Sequence, residues 1–202
     1  MQKNRHYLVI DLEATCSDDG SLRREEMEII EIGAVMLSPP IEHESGSAAC
    51  GTESPLADTD EFQTFIKPVR HTQLTDFCKA LTSISQADVE RAPAYPQAIA
   101  SLQQWITQLT HGADVLFCSW GAYDKKQFKQ DCAWHQVPYP FSEAHCNVKQ
   151  AFARATETKP KGLGKAVRSL GWTFSGTPHR GIDDARNIAR ILKWLLHRQA
   201  EL

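Results

Sequence analysis

No apolar run in this 202-residue sequence approaches the ~18 residues that a bilayer span needs. The residues MQKNRH lead straight into an apolar stretch, without the layout of a secretory leader. A membrane role is therefore not expected, and the cytoplasm is the expected location. Excess charge of one sign is also missing. Lys and Arg number 22 against 25 Asp and Glu, a formal net charge of -3, so a polyanion would have to be held by a local basic patch or a metal. The six cysteines (16, 50, 78, 118, 132 and 146) form no paired framework and read as free thiols. Cys132, His135, His145 and Cys146 do not have the spacing of a closed zinc site, because neighbours such as His145 and Cys146 seldom reach one ion together. Gly162-Leu163-Gly164-Lys165 lacks both the leading glycine and the following Ser or Thr of a phosphate-binding Walker loop. Repeats and interior linkers are absent too, and one domain over residues 1–202 is expected.

What is present begins with residues 8–16 (LVIDLEATC), an apolar run that carries two carboxylates two residues apart. Strand alternation puts Tyr7, Val9, Asp11 and Glu13 on one face and Leu8, Ile10 and Leu12 on the other. Two neighbouring acids resist burial, and a divalent cation is the usual compensation; an exposed strand end is the simpler alternative. A polar hinge at 17–26 leads to a second strand at 27–37 (MEIIEIGAVML), stopped by Pro39-Pro40. Glu31 in that strand is expected to pair with a neighbouring strand or a cation rather than to act in catalysis. Residues 38–60 are small, polar and acidic, which predicts a long mobile loop, and 61–67 (EFQTFIK) alternates as a third strand.

Helical periodicity follows. Short helices are predicted at 74–81 and at 85–91, the second capped by Ser85, and a longer one at 97–109. Residues 114–119 (DVLFCS) form a fourth strand, 123–135 a helix, 144–149 a weak strand feeding a helix to 155, and 162–170 and 182–198 two final helices. Three serial strands followed by strands alternating with helices predict an α/β protein with a mixed central sheet of about five strands flanked by helices.

Three more polar residues matter. Asp124 follows a strand and a Gly turn, at the sheet rim where α/β proteins bind ligands, although a first-turn acid also suits a helix dipole. In the last helix Asp184 shares a row with Ile188, Ile191 and Leu195, whereas Asp183 lies with Arg186, Asn187, Arg190 and Trp194. Asp184 is thus the functional candidate and Asp183 the solvated one. His179 precedes that helix on a loop from which it can reach the same place.

Together, Asp-x-Glu, a later Asp and His-x4-Asp, in the words DLEATC, GAYDKKQF and HRGIDDARNIA, resemble the DEDDh (DnaQ-like) 3′→5′ exonucleases. With LTSIS at 81–85, the wording is most similar to the branch of the histone-mRNA and RNA-interference 3′ exonucleases and their bacterial relatives. The resemblance covers roughly residues 6–198 apart from 38–60. It implies a ribonuclease-H-like fold and metal-dependent release of nucleoside 5′-monophosphates from single-stranded RNA, 3′ overhangs or short oligonucleotides. It further implies two Mg²⁺ ions, replaceable by Mn²⁺, with Asp11 bridging both, Glu13 and Asp184 helping to hold the one that activates water, Asp124 supporting the other and His179 as general base. Ala14, Thr15, Ile84 and Tyr123 match positions near the terminal nucleotide, with Tyr123 as a stacking platform and Ile84 as a wedge; packing is the alternative for both. Lys159, Lys161, Lys165 and Arg168 form a basic cluster that is either a solvated face or a track for the phosphate backbone. RNA is favoured over DNA as substrate by branch resemblance. DNA repair or proofreading, and a nucleic-acid-binding module with a vestigial nuclease site, are the competing readings.

Overall fold

The computed structural model describes residues 5–39, 57–198, 200 and 202. Five strands form one mixed sheet: β1 (His6–Ala14), β2 (Ile29–Ser38), β3 (Ala57–Phe65), β4 (Val115–Ser119) and β5 (His145–Asn147). Their order is β3-β2-β1-β4-β5. The first three are antiparallel, and β4 and β5 continue the sheet parallel to β1. That change of sense follows from the connections, since β4 is reached only after three helices, long enough for a crossover. The helices are α1 (Asp76–Thr82), α2 (Gln86–Glu90), α3 (Tyr95–Thr110), α4 (Tyr123–His135), α5 (Val148–Ala155), α6 (Leu163–Ser169) and α7 (Gly181–His197).

The expected alternation in β1 separates two cores. Tyr7 and Val9 pack with Val35 and Leu37 under α5, α6 and α7, which contribute Phe152, Val167, Ile188, Ile191 and Leu195. Leu8, Ile10 and Leu12 pack on the opposite face against Ile99 and Leu102 of α3 and Phe128 of α4. Ile30, Leu74, Cys78, Ile84 and Val89 make a third, smaller cluster. A register shift between Glu13 and Ala14 leaves Ile30 as the extra residue of β2, which turns it towards that cluster.

Several boundaries differ from the sequence expectation. β3 begins at Ala57, not at 61, because its first residues pair with Leu37 and Ser38 on β2 although they carry no apolar alternation. Of the expected 38–60 loop, residues 40–56, with Cys50, lie outside the described residues, and its two ends belong to strands. A short 3₁₀ turn, Arg24–Glu26, interrupts the polar hinge. α3 starts at Tyr95, with Pro96 in its first turn where a missing N–H costs nothing. The five described cysteines are free. His135 stacks on Tyr95, whereas His145 meets Ser119, so the zinc ligands weighed above do not converge among the described residues.

Candidate active site

The site forms where the carboxyl end of β1 meets the first turns of α4 and α7. Asp11 and Glu13 share a face of β1, opposite Gly33 and Glu31 of β2. α7 comes so close that a Cβ on Gly33 would lie 2.1 Å from the carbonyl carbon of Gly181, and one on Gly181 would lie 3.0 Å from the Asp11 carbonyl oxygen. Two residues without side chains are therefore what lets the helix rest on the sheet. Glu31, fully buried, anchors it: its carboxylate accepts from the Gly181 amide at 3.1 Å and Gln63 Nε2 at 2.6 Å, and pairs with Arg180 at 3.3 Å. A carboxylate beneath a helix N-terminus also meets the positive end of its dipole. Glu31 thus pairs with a cation, one of the two kinds of partner expected for it.

Asp184, one turn into α7, is buried, and its Oδ2 accepts the backbone N–H of His179 at 3.0 Å. His179 itself is exposed, with φ +61. One ligand atom each from Glu13, His179 and Asp184 falls within 4.8 Å of the others. Asp124, in the first turn of α4, is buried and accepts the Leu12 amide at 3.2 Å, which ties it to β1 between Asp11 and Glu13. The Ser119 hydroxyl, at the end of β4, contacts His145 Nε2 at 2.9 Å and donates to the Gly121 carbonyl at 3.1 Å. The five candidate residues thus come together from three elements and one loop.

Asp183 departs from the expected solvated acid. It pairs with Arg186 at 2.8 Å, but its other oxygen accepts the Thr177 amide at 2.9 Å, and a Cβ on Gly176 would lie 2.3 Å from its Cγ. Asn187, fully buried, holds Ser175 through both its amide N–H and carbonyl groups. Asp183, Asp184 and Asn187 therefore all fasten the 175–179 segment that carries His179. The row looked polar in sequence because its polar groups are spent on backbone partners.

The four carboxylates are electrostatically unsatisfied. Burial, then repulsion by Asp124, Asp184 and Glu13, pushes Asp11 well above the ordinary carboxyl range. Burial and then Asp184 and Glu31 push Glu13 up to about 8. Burial raises Asp184 to about 7, opposed by the His179 amide, and raises Asp124 to about 6, opposed by the backbone amides that donate to it. Ion pairs between described residues use other acids. Four clustered acids without a cationic side chain fit hard divalent cations, which take oxygen ligands.

The residues expected near the nucleotide are dispersed in character. Ala14 is buried at the end of β1; Thr15 is buried, with its Oγ1 accepting the Glu28 amide at 2.9 Å. Tyr123 is half-buried beside Asp124, with the Arg24 guanidinium 5.2 Å from its ring centre. Ile84 has no exposed surface and packs in the third core cluster. Sequence reasoning missed Gly33, Gly181 and the Ser119–His145 pair. Gly33 carried a legible sign, a lone glycine inside a strand, which often marks close approach of another backbone.

A mixed sheet with Asp-x-Glu on its first strand, an Asp on a following helix and a His–Asp pair at the last helix defines a DEDDh exonuclease on a ribonuclease-H-like fold. Residues 8–192 match the exonuclease family RNase_T, and the chain belongs to that family. It is 31% identical over 204 residues to 3'-5' exoribonuclease 1 of Rattus norvegicus, covering 98% of this chain and 54% of the relative. It is likewise 31% identical over 203 residues to ERI1 exoribonuclease 3 of Homo sapiens, covering 98% and 55%. The chain spans about half the length of the curated relatives it matches. Among solved structures, the nuclease domain of 3'hExo, a DEDDh family member bound to rAMP, superposes with a TM-score of 0.85 at 29% identity over 100% of this chain and 96% of that one. A 3'-exonuclease solved in 3'-end-specific recognition of the histone mRNA stem-loop gives 0.83 at 28% identity, over 98% and 84%.

Proposed function

We propose that this protein is a metal-dependent 3′→5′ exoribonuclease that releases nucleoside 5′-monophosphates from single-stranded RNA, 3′ overhangs or short oligonucleotides. The observation that carries the reading is the convergence of Asp11, Glu13, Asp124 and Asp184 beside His179, in a chain related to 3'-5' exoribonucleases over nearly its whole length. Asp11, Glu13, Asp124 and Asp184 would hold two divalent cations, Mg²⁺ by preference for an all-oxygen shell, with Mn²⁺ able to substitute. Bound there, such cations would neutralise charge on the attacked phosphate and on the departing O3′. His179 takes the proton of the attacking water, a task suited to imidazole near neutral pH. Asp184 positions it through the backbone amide, and the mobile proton can leave to solvent because the ring is exposed.

The terminal nucleotide rests beside Glu13 and Asp124, close to Ala14 and Thr15 at the end of β1, with Tyr123 stacking on its base. Ile84 contributes through the core behind that seat. The catalytic unit is one domain over residues 1–202. No helix among the described residues is long and apolar enough to cross a membrane, and the proposed site of action is the cytoplasm. RNA is preferred to DNA because the relatives are exoribonucleases and one structural neighbour holds rAMP.

Matched RNA and DNA oligonucleotides of one sequence, incubated with Mg²⁺, Mn²⁺ or EDTA, test this directly. RNA is expected to yield 5′-monophosphates faster than DNA does, and only with metal. Equal or faster release from DNA would transfer the reading to a DNA exonuclease. RNA binding without metal-dependent trimming would leave a binding module.

A further inference from the structure

A cavity of about 400 Å³ opens beside the carboxylates, between α6 and the segment that carries His179. His179 and Asp184 are among the residues that line it. Leu163, Phe174 and Pro178 give it an apolar wall, and Lys165 and Arg168 give it a basic side. Placed three residues apart on α6, the two cations project from one helix face. Eight cations among the described residues already meet carboxylates: Arg5, Arg23, Arg70, Lys79, Lys125, Lys129, Arg180 and Arg186. Lys165 and Arg168 have no ion pair among the described residues, although they share the cavity with Asp184. The rest of the expected basic cluster does not join them. Lys161 lies over the Phe152 ring at 5.7 Å, and neither it nor Lys159 lines the cavity.

We propose that this cavity seats the substrate strand on the 5′ side of the bond being cut, with Lys165 and Arg168 gripping a non-scissile backbone phosphate and Phe174 facing the sugar and base. The inference rests on the exonuclease reading above, and simple chemistry fixes its direction. A 3′-terminal nucleotide carries only the scissile phosphate, so every further phosphate belongs to the strand 5′ of it. A polyanion drawn towards four carboxylates also needs counter-charge beyond any metal, in a protein whose net charge is -3. A basic rim joined to an apolar wall is the combination that single-stranded nucleic acid meets in its binding grooves.

The test compares wild type, the double variant Lys165→Ala/Arg168→Ala and Arg198→Ala, a cation at the far end of α7. A short single-stranded RNA measures binding by fluorescence anisotropy in EDTA and KM in Mg²⁺. The p-nitrophenyl ester of thymidine 5′-monophosphate, which has a single phosphate, measures hydrolysis without a neighbouring backbone. The double variant is expected to raise Kd and KM for RNA on the order of tenfold, and to reduce the salt slope by about 0.7 for each phosphate that is no longer neutralised. Its kcat and KM for the ester, and all values for Arg198→Ala, are expected to match wild type. RNA binding and KM unchanged in the double variant overturn the proposal, as does an equal loss on the ester, which would mark a general structural role. If wild type hydrolyses neither substrate, the exonuclease reading fails on its own, and the anisotropy arm still decides whether the cavity grips RNA.

Discussion

At the scale of single residues, the cost of placing Glu13, Asp124 and Asp184 together sets how the metal-free protein responds to pH. Their folded values, about 8, 6 and 7, all stand above the ordinary carboxyl range. The folded state therefore holds protons that the unfolded chain has released, and the stabilisation this gives is full only below about pH 4. It is lost progressively as pH rises through 6, 7 and 8. Metal-free protein is accordingly expected to melt at lower temperature at pH 8 than at pH 6, and added Mg²⁺ to raise Tm more at pH 8. Scanning calorimetry with EDTA or Mg²⁺ at the two pH values checks this, and a Mg²⁺ effect independent of pH would contradict it. Glu13→Gln removes one of the repelling charges. In EDTA at pH 8 it is expected to raise Tm by about 2–4 °C for each kcal/mol of repulsion relieved, while the same variant loses Mg²⁺-dependent activity.

The residue scale is also where the sequence was most legible. Asp11 and Glu13 declared themselves as paired acids in an apolar strand, and Asp184 as an acid on an apolar row. Asp183 did not, because a side chain that caps the Thr177 amide is indistinguishable in sequence from one that faces water. Asp183→Asn keeps an oxygen for that amide, whereas Asp183→Ala frees the segment bearing His179. The alanine variant is expected to lower kcat with little change in global stability, as measured by steady-state kinetics beside urea unfolding.

At the scale of elements, the contact of α7 with β2 decides the geometry of the site. A Cβ at Gly33 would overlap the Gly181 backbone at 2.1 Å, a clash with main chain that no rotamer relieves. Gly33→Ala is expected to cost roughly 1–3 kcal/mol and to depress activity further than that loss alone implies, because Asp184 and His179 move away from β1 with the helix. Denaturant unfolding and kcat on an RNA oligonucleotide, measured on one preparation, separate the two effects. Helix positions were readable where an apolar face repeats every three to four residues, and α7 fell within one residue of where the pattern put it. The start of β3 was not readable. Ala57-Asp58-Thr59-Asp60 carries no apolar alternation to mark it, and its backbone pairs with β2 at the edge of the sheet.

At the scale of the whole molecule, a second buried charge cluster ties together parts of the chain that are far apart in sequence. Glu28 accepts the amides of Val69, Arg70 and His71, and Asp131 accepts that of Ile29 at 2.7 Å. Arg70 lies between the two acids, 3.7 Å from Glu28 and 3.3 Å from Asp131, with Trp134 stacked on its guanidinium. This cluster joins β2, the segment before α1 and α4, three parts far apart in sequence, which is why no local pattern announced it. Removing Arg70 leaves two buried acids without their cation. Arg70→Ala is expected to cost roughly 3 kcal/mol and to lower Tm on the order of 6–12 °C. Burial already holds Asp131 at about 6, so the loss shrinks at pH 5, where that acid is neutral. Unfolding curves at pH 5 and pH 8 show whether the penalty follows the charge.

The proposed activity requires one metal-dependent hydrolytic centre, built from the buried face of α7 together with β1 and α4. Its most direct test is a time course on 5′-labelled single-stranded RNA with wild type, Asp184→Asn and Asp183→Asn, each in Mg²⁺ and in EDTA. A ladder shortening from the 3′ end is expected in Mg²⁺, abolished by EDTA and by Asp184→Asn and retained by Asp183→Asn. A ladder that survives EDTA, or an Asp184→Asn variant that trims as fast as wild type, would contradict it.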